Sequence, residues 1–138
     1  MTKKEKLLLI NDLSARLPYG VHVVHSTSHI SGKLNDIHML HLYHDNEIVQ
    51  DVICTARFFG DYNVDITYLT PLLRSMSSMT KEEEVEYDAT FDTINIDGRY
   101  DSVMTYKSYD WLNQHHFDYR GLIEKGLAIE VPKSYYFD

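Results

Sequence analysis

Histidine is frequent in this chain, with eight among 138 residues, and the spacing of several histidines suggests a metal site. His38, His41 and His44 are three residues apart, a spacing that would align them on one face of a helix. They fall instead in an apolar run that predicts a β-strand, where successive side chains point to opposite faces. His38 and His44 would then face one way and His41 the other, so the three cannot bind one ion.

The earlier histidines, His22, His25 and His29, meet the same difficulty, since His29 lies in a predicted loop. A cross-strand site that joins His22 or His25 to the later group stays open, because zinc ligands need only converge in space. We nevertheless expect no metal site. The purified protein should carry no stoichiometric zinc, and elemental analysis near one zinc per chain would contradict this.

The residues that could act as nucleophiles give no catalytic pattern. Cys54 is the single cysteine, and it lies in Val52-Ile53-Cys54-Thr55, a predicted strand where a thiol is ordinarily buried and inert. No serine occupies a G-x-S-x-G turn, and neither phosphate-loop pattern occurs. The acidic residues allow many carboxylate pairs, but no spacing singles one out. We therefore expect no catalytic or cofactor-binding residues and no cofactor, and we predict that the protein is not an enzyme.

Charge is spread unevenly along the chain. Residues 1–80 carry eight acidic and seven basic residues, whereas residues 81–138 carry thirteen acidic and six basic residues. The net charge of −8 argues against direct binding to a nucleic-acid backbone. The acidic second half is either a solvated surface or a face that attracts a basic partner.

Tyrosine is the second compositional signal, with eleven tyrosines in the chain. Large aromatic side chains crowd the last 40 residues or so: Tyr100, Tyr106, Tyr109, Trp111, Tyr119, Tyr135, Tyr136 and Phe137. Tyrosine gives a large amphipathic contact area at low entropic cost and is enriched at interfaces. These residues either complete a core that is poor in Leu and Val, or form a tyrosine-lined acidic binding face.

The first element that must position these groups is an N-terminal helix over residues 3–16. Thr2-Lys3-Lys4-Glu5 has the spacing of a capping box, and the leucines that follow recur at helical spacing. Pro18 and Gly20 end this helix.

A β-rich region follows the helix. Residues 21–25, 37–43, 48–55 and 64–69 predict strands, with a hairpin turn at Asp45-Asn46 and a second turn at residues 60–63. Their short connections favour antiparallel pairing.

Past Pro71 the pattern predicts helices and loops. Thr80-Lys81-Glu82-Glu83 repeats the capping-box spacing, and Asp97-Gly98 predicts a turn or hairpin. Residues 110–116 predict a short helix, and Asp118 is expected to cap another that ends at Gly126 with contact between Leu122 and Leu127. Residues 128–131 predict a last strand. We expect one α+β domain over residues 1–138: an N-terminal helix on a small antiparallel sheet, then a helical C-terminal part with a short last strand.

Three sequence blocks, residues 15–21, 77–83 and 109–128, resemble a family of small uncharacterised proteins. That family comes from gut Bacteroides-type bacteria and their phages or mobile elements. The blocks follow one another across nearly the whole chain, whereas residues 22–70 match no pattern of the family. The resemblance implies the habitat and a cytoplasmic location. It carries no activity and therefore no functional residues.

These observations favour a non-enzymatic interaction or regulatory module with an unknown protein partner. An accessory role for a phage or mobile element fits such a module. We expect no direct nucleic-acid binding and no membrane span, since no apolar run approaches about 18 residues. The candidate interaction surface is the joint between the two predicted C-terminal helices: His116, Asp118, Tyr119 and Arg120. The alternatives are an acidic mimic of nucleic acid and a small hydrolase or metal enzyme.

Overall fold

The computed structural model describes residues 1–40, 43–44, 47–48, 53–58 and 62–136. Helix α1, Lys3–Arg16, has the predicted bounds. The backbone N–H of Glu5 donates to the Thr2 hydroxyl, and the Thr2 N–H donates to the Glu5 carboxylate, both at 3.1 Å. This capping box satisfies N–H groups that the first helical turn leaves without partners.

Ten strands are found in the described ranges. Their bounds are β1 His22–His25, β2 Ser31–Leu40, β3 Tyr43–His44, β4 Glu47–Ile48, β5 Ile53–Phe58, β6 Tyr62–Asp65, β7 Leu69–Leu73, β8 Asp92–Ile96, β9 Arg99–Val103 and β10 Ile129–Glu130. Within those ranges, six of them form one sheet in the order β10-β7-β1-β2-β5-β6, and β3–β4 and β8–β9 form separate pairs. In β3–β4, His44 pairs with Glu47. The predicted turn residues Asp45 and Asn46 lie outside the described residues, as does the side chain of Cys54.

The sheet differs from the predicted one in several places. Strand β2 begins at Ser31, six residues before the predicted strand 37–43, and β5 extends to Phe58, three residues past the predicted strand 48–55. The strand predicted over residues 64–69 is broken by a 3-10 turn, Ile66–Tyr68, because the Asp65 carboxylate accepts the backbone N–H of Thr67 at 2.9 Å. Strand β7 then runs through Pro71, where loop was expected. Finally, β10 pairs with β7 in parallel, so the sheet is mixed.

The second half contains helices α2, Lys81–Asp88, and α3, Tyr106–Gln114. The capping box at Thr80 and Glu83 is present, and Asp97-Gly98 forms the turn of the β8–β9 hairpin with positive φ angles of 51° and 82°. Helix α3 begins four residues before the predicted Asp110, because Thr105 accepts the N–H of Lys107 and caps it.

The helix predicted between Asp118 and Gly126 is only a turn. Gly121 has a φ of +75°, which a right-handed helix cannot accommodate. The predicted helix ending is nonetheless present. The N–H of Leu127 donates to the Leu122 carbonyl at 2.9 Å, and both leucines are buried. The hydrogen bond and leucine contact that typically end a helix therefore form here, although no helix directly precedes them.

The main core lies between α1 and the large sheet. Leu9 and Leu13 of α1 pack with Val23, Phe58 and Leu73 of the sheet, and all five are fully buried. Each such side chain contributes roughly 1.5–3 kcal/mol of hydrophobic stabilisation. A second cluster joins Trp111, Leu112 and Phe117. Among the residues that the structure describes, no helix is both long and apolar enough to cross a membrane.

Candidate functional site

The predicted surface lies in a five-residue segment that follows α3, residues 116–120, which we call the joint. Its backbone docks against the end of β7. The N–H of Arg74 donates to the carbonyl of His116, and the N–H of Asp118 donates to the carbonyl of Arg74, each at 2.8 Å. The joint therefore continues the sheet by one parallel bridge, between Arg74 and Phe117.

His116 lies inside the protein, with only 6% of its surface exposed. Its ring stacks on Tyr136 with 3.6 Å between the centroids, and its backbone has a φ of +64°. Burial, helped by the nearby positive charge of Arg16, lowers the pKa of His116 to about 3. Its Nδ1 has no hydrogen-bond partner in the described part of the chain. His116 is therefore a neutral packing residue at pH 7.

Asp118 is also buried, with 8% of its surface exposed. Its carboxylate accepts the backbone N–H groups of Leu122 and Ile123, both at 2.9 Å. Both oxygens are thus used to hold the turn that follows. The prediction that His116 and Asp118 present exposed groups is wrong, because burial and local hydrogen bonds occupy both side chains.

Tyr119 and Arg120 are half-buried and fixed by neighbours. The Tyr119 hydroxyl donates to the side-chain oxygen of Asn113 at 3.0 Å, and the guanidinium of Arg120 lies 4.4 Å from the centre of the Tyr119 ring. Arg120 also donates to Asp12 at 2.8 Å. The predicted surface is therefore reduced to the outer parts of two side chains.

Two fully buried arginines, which the sequence prediction missed, hold the joint in place. Arg16 donates from Nε to Asp12 at 2.9 Å and from Nη2 to the carbonyl of Phe117 at 2.6 Å. The spacing of Asp12 and Arg16, four residues apart on a helix, was the available signal. Nothing local indicated the bond to Phe117.

The second arginine, Arg74, forms a two-pronged ion pair with Glu83. Its Nη1 and Nη2 donate to the two carboxylate oxygens at 2.8 and 2.7 Å, and its guanidinium lies 4.1 Å from the centre of the Phe117 ring. The Arg74 hydrogen bonds lower the pKa of Glu83 to about 2. Because Glu83 also completes the α2 capping box, this residue ties α2 to the sheet and to the joint.

The β8–β9 hairpin has the opposite character. Residues 92–103 are all described, and none of them is buried. Ile94 pairs with Asp101 and Ile96 with Arg99, whereas Tyr100 pairs with Asn95. Because side chains alternate across a strand, the two isoleucines lie on one face and Tyr100 on the other. Ile94, Ile96 and Tyr100 are 38%, 53% and 70% exposed.

Hydrogen bonds fix the base of this hairpin to α3. The hydroxyl of Thr105 donates to the carbonyl of Thr90 at 2.9 Å, and the hydroxyl of Thr90 donates to that of Ser108 at 2.9 Å. At the tip, the N–H of Gly98 donates to the side chain of Asn95 at 3.0 Å. The hairpin therefore projects from an anchored base with a defined turn.

The elements that flank the hairpin add exposed apolar and acidic groups. Val85 of α2 and Tyr106 of α3 are 70% and 72% exposed. The exposed carboxylates of this region are Glu82, Glu84, Glu86, Asp88, Asp92, Asp97 and Asp110. Residues 80–110 carry nine acidic and three basic residues. We call residues 81–110 the hairpin region. In the sequence, the signal for its hairpin was the alternation of Ile94-Asn95-Ile96 next to the Asp97-Gly98 turn.

The histidines of the metal hypothesis lie in separate surroundings. His22 contacts Tyr135 and Tyr136, His25 accepts backbone N–H groups of the turn after β1, and His38 lies beside Asp36. His41 lies outside the described residues. In the ranges that the structure describes, no three His, Cys, Asp or Glu side chains form a group that could hold a metal ion.

Comparisons with known proteins give no relative from which a role could be transferred. No family model matches the chain, and neither the curated proteins nor the solved structures contain a significant match.

Proposed function

We propose that the chain is a non-enzymatic, cytoplasmic interaction module that binds a basic partner protein through the hairpin region. The observation that carries the proposal is the exposure of Ile94, Ile96 and Tyr100 on a hairpin without buried residues. An isolated two-stranded hairpin is at best marginally stable, and apolar residues exposed on it do not contribute to a core. A partner protein that covers these side chains would remove their apolar surface from water.

The charge of the region supports a basic partner. The exposed carboxylates lie on the hairpin and on the two helices next to it in the sequence, so the region offers both the apolar and the polar groups that protein interfaces use. The excess of acidic residues attracts a positively charged surface over a distance of about 10 Å at 0.1 M salt. It also repels a second copy of the same region, so we propose a different protein as the partner.

The structural use of the buried ionisable side chains supports a non-enzymatic role. His116 and Asp118 are occupied by packing and by a turn, and the Arg74–Glu83 and Asp12–Arg16 pairs are internal. The resemblance in the sequence further favours an accessory protein of a phage or mobile element.

The proposal is tested by affinity capture from a lysate of the organism that encodes the chain. The wild type is compared with a variant carrying Ile94→Thr, Ile96→Thr and Tyr100→Thr. Ile129→Thr is the control, because Ile129 is similarly exposed, at 47%, but lies on β10. We expect a stoichiometric basic protein that the wild type and the control retain and that the triple variant loses.

Purified partner should bind with an affinity that falls as salt rises. Equal capture by the triple variant, or a partner without a basic face, would contradict the proposal.

A second candidate function, an acidic mimic of nucleic acid, is favoured by the seven exposed carboxylates of the region. Its partner would be a nucleic-acid-binding protein. Duplex DNA or RNA should then compete for the purified partner, whereas an ordinary interaction module leaves nucleic-acid binding by the partner unchanged.

A further inference from the structure

A groove beside α1 differs in charge from the rest of this acidic protein. Residues of α1, of the joint and of the segment after it line the groove, and its volume is about 530 Å³. That volume is within the usual range for small-molecule sites. Its lining includes the cations Lys4, Arg120 and Lys125, against one carboxylate, Glu5.

The turn after the joint places the Lys125 ammonium beside Gly121. Lys125 follows the turn that begins at Gly121, and its N–H donates to the Gly121 carbonyl. Its ammonium would lie 4.0 Å from a Cβ added at Gly121, the residue next to Arg120. Arg120 is itself oriented by its bond to Asp12, which is completely buried. The positive charges are therefore positioned by the turn and by a buried carboxylate.

Glu5 is the one carboxylate in the lining against three cations, so the lining keeps a net positive charge. The Glu5 carboxylate accepts the Thr2 N–H in the capping box, and that bond lowers the pKa of Glu5. In the part of the chain that is described, no acidic side chain forms an ion pair with Lys4 or Lys125. An anion in the groove would meet ammonium groups that are available to bind it.

The same groove has an apolar wall. Leu7 and Leu8 line it, and Leu7 is 58% exposed, although it lies in the middle of a helix whose other face forms the core. An apolar group placed there would remove this leucine from water. The groove thus pairs a cationic end with an apolar wall.

We propose that this groove binds a small amphipathic anion, with a carboxylate or phosphate head held by Arg120, Lys125 and Lys4 and an apolar tail against Leu7 and Leu8. This site is separate from the hairpin region, so its failure would leave the proposed function untouched. A carboxylate and a phosphate share the same charge-assisted hydrogen bonds, and the experiment separates them.

The test titrates the isotopically labelled full chain with octanoate, hexyl phosphate and inorganic phosphate, followed by amide chemical shifts. At least one of the two amphiphiles should give saturable shifts in residues 4–11 and 120–125, with inorganic phosphate at least fivefold weaker. The preferred head group identifies the ligand as a carboxylate or a phosphate.

The variant Lys4→Gln with Lys125→Gln should weaken binding at least fivefold, and Lys125→Arg in place of the Gln should restore part of it. Lys81→Gln with Lys107→Gln is the matched control, since it removes two exposed lysines outside the groove. Leu7→Asn should weaken amphiphile binding but leave inorganic phosphate unchanged. The proposal would be overturned if neither amphiphile gave saturable shifts at concentrations up to about 10-fold above 1 mM, the upper end of the usual range of KM values. Equal affinity of the two double variants, or inorganic phosphate binding as tightly as the amphiphiles, would also overturn it.

Discussion

The joint and the hairpin are close in sequence but use their side chains in opposite ways. In and around the joint, buried polar and charged groups have specific partners: Asp118 accepts two backbone N–H groups, Arg74 pairs with Glu83 and Arg16 pairs with Asp12. In the hairpin, apolar groups are exposed and contribute to neither core cluster. The fold accounts for these buried charged groups, because they are held by partners inside it. The exposed Ile94, Ile96 and Tyr100 of the hairpin have no such role in the fold, and we propose that a binding partner covers them.

The largest expected effect of a single substitution is that of Arg74→Met. It leaves the Glu83 carboxylate buried without its guanidinium partner, so the free energy of unfolding should fall by about 3–5 kcal/mol. The measurement is urea unfolding at pH 7. Arg99→Met is the control, because Arg99 forms an exposed pair with Asp101 on the hairpin, and it should cost less than about 1 kcal/mol. Equal losses in the two variants would remove the contrast between the regions.

The next effect is the pH dependence of stability. The unfolded chain protonates His116 near its ordinary pKa of 6.5, whereas the folded chain does so only near 3. Protons therefore favour unfolding in this interval, and stability falls as the pH drops through it. At about 1.4 kcal/mol per pH unit, His116 should account for about 2 kcal/mol of the loss between pH 7 and pH 5.

His116→Asn should reduce that loss, because asparagine tolerates the positive φ and does not titrate. His29→Asn is the matched control: His29 also has a positive φ, of 59°, but is exposed. Glu83 adds a separate loss of stability at lower pH. This loss occurs as the pH falls from the ordinary pKa of 4.5 toward the folded-state pKa of about 2. An unchanged difference in stability between pH 7 and pH 5 in His116→Asn would contradict the assignment.

Two glycines allow a smaller and closely matched comparison. Gly126, after the joint, and Gly98, in the hairpin turn, have φ angles of 72° and 82°, and a Cβ at either would meet no atom within 4 Å. Alanine at each should cost roughly 1 kcal/mol of backbone strain. Gly126→Ala should lower global stability, whereas Gly98→Ala should only speed amide exchange in β8 and β9. A global loss in Gly98→Ala would show that the hairpin supports the fold.

The smallest effect is expected from the hairpin side chains themselves. Ile94→Thr with Ile96→Thr keeps β-branching and removes apolar area of which 38% and 53% is already in water and none belongs to a core cluster, so stability should change by less than about 1 kcal/mol. Thermal and urea unfolding measure this directly. A loss comparable to that of Arg74→Met would mean that these isoleucines serve the core.

Local signals in the sequence were enough for much of the fold. Thr2 and Thr80 were identified as helix caps, and Asp97-Gly98 as a turn, because each signal acts within four residues. The parallel pairing of β10 with β7 was not predictable, since it joins Ile129 to Leu72. No local pattern encodes that contact.

The candidate site was harder to predict for the same reason. Arg16 reaches the carbonyl of Phe117, 101 residues away, and this contact is one of those that hold the joint against the rest of the fold. His116 and Asp118 have side chains that are ordinarily exposed, so the sequence favoured a surface. Burial depends on the whole fold, whereas the exposed Ile94 and Ile96 could be recognised only once residues 92–103 were known to lack core contacts.

The most direct test of the central claim is amide hydrogen exchange of the chain alone and in complex with its captured partner. The account predicts that exchange slows on binding in residues 92–103 and in the adjoining turns of α2 and α3, while the joint, already protected, is unchanged. Slowed exchange confined to other segments, with the hairpin as fast as in the free chain, would contradict the assignment of the hairpin as the interaction surface.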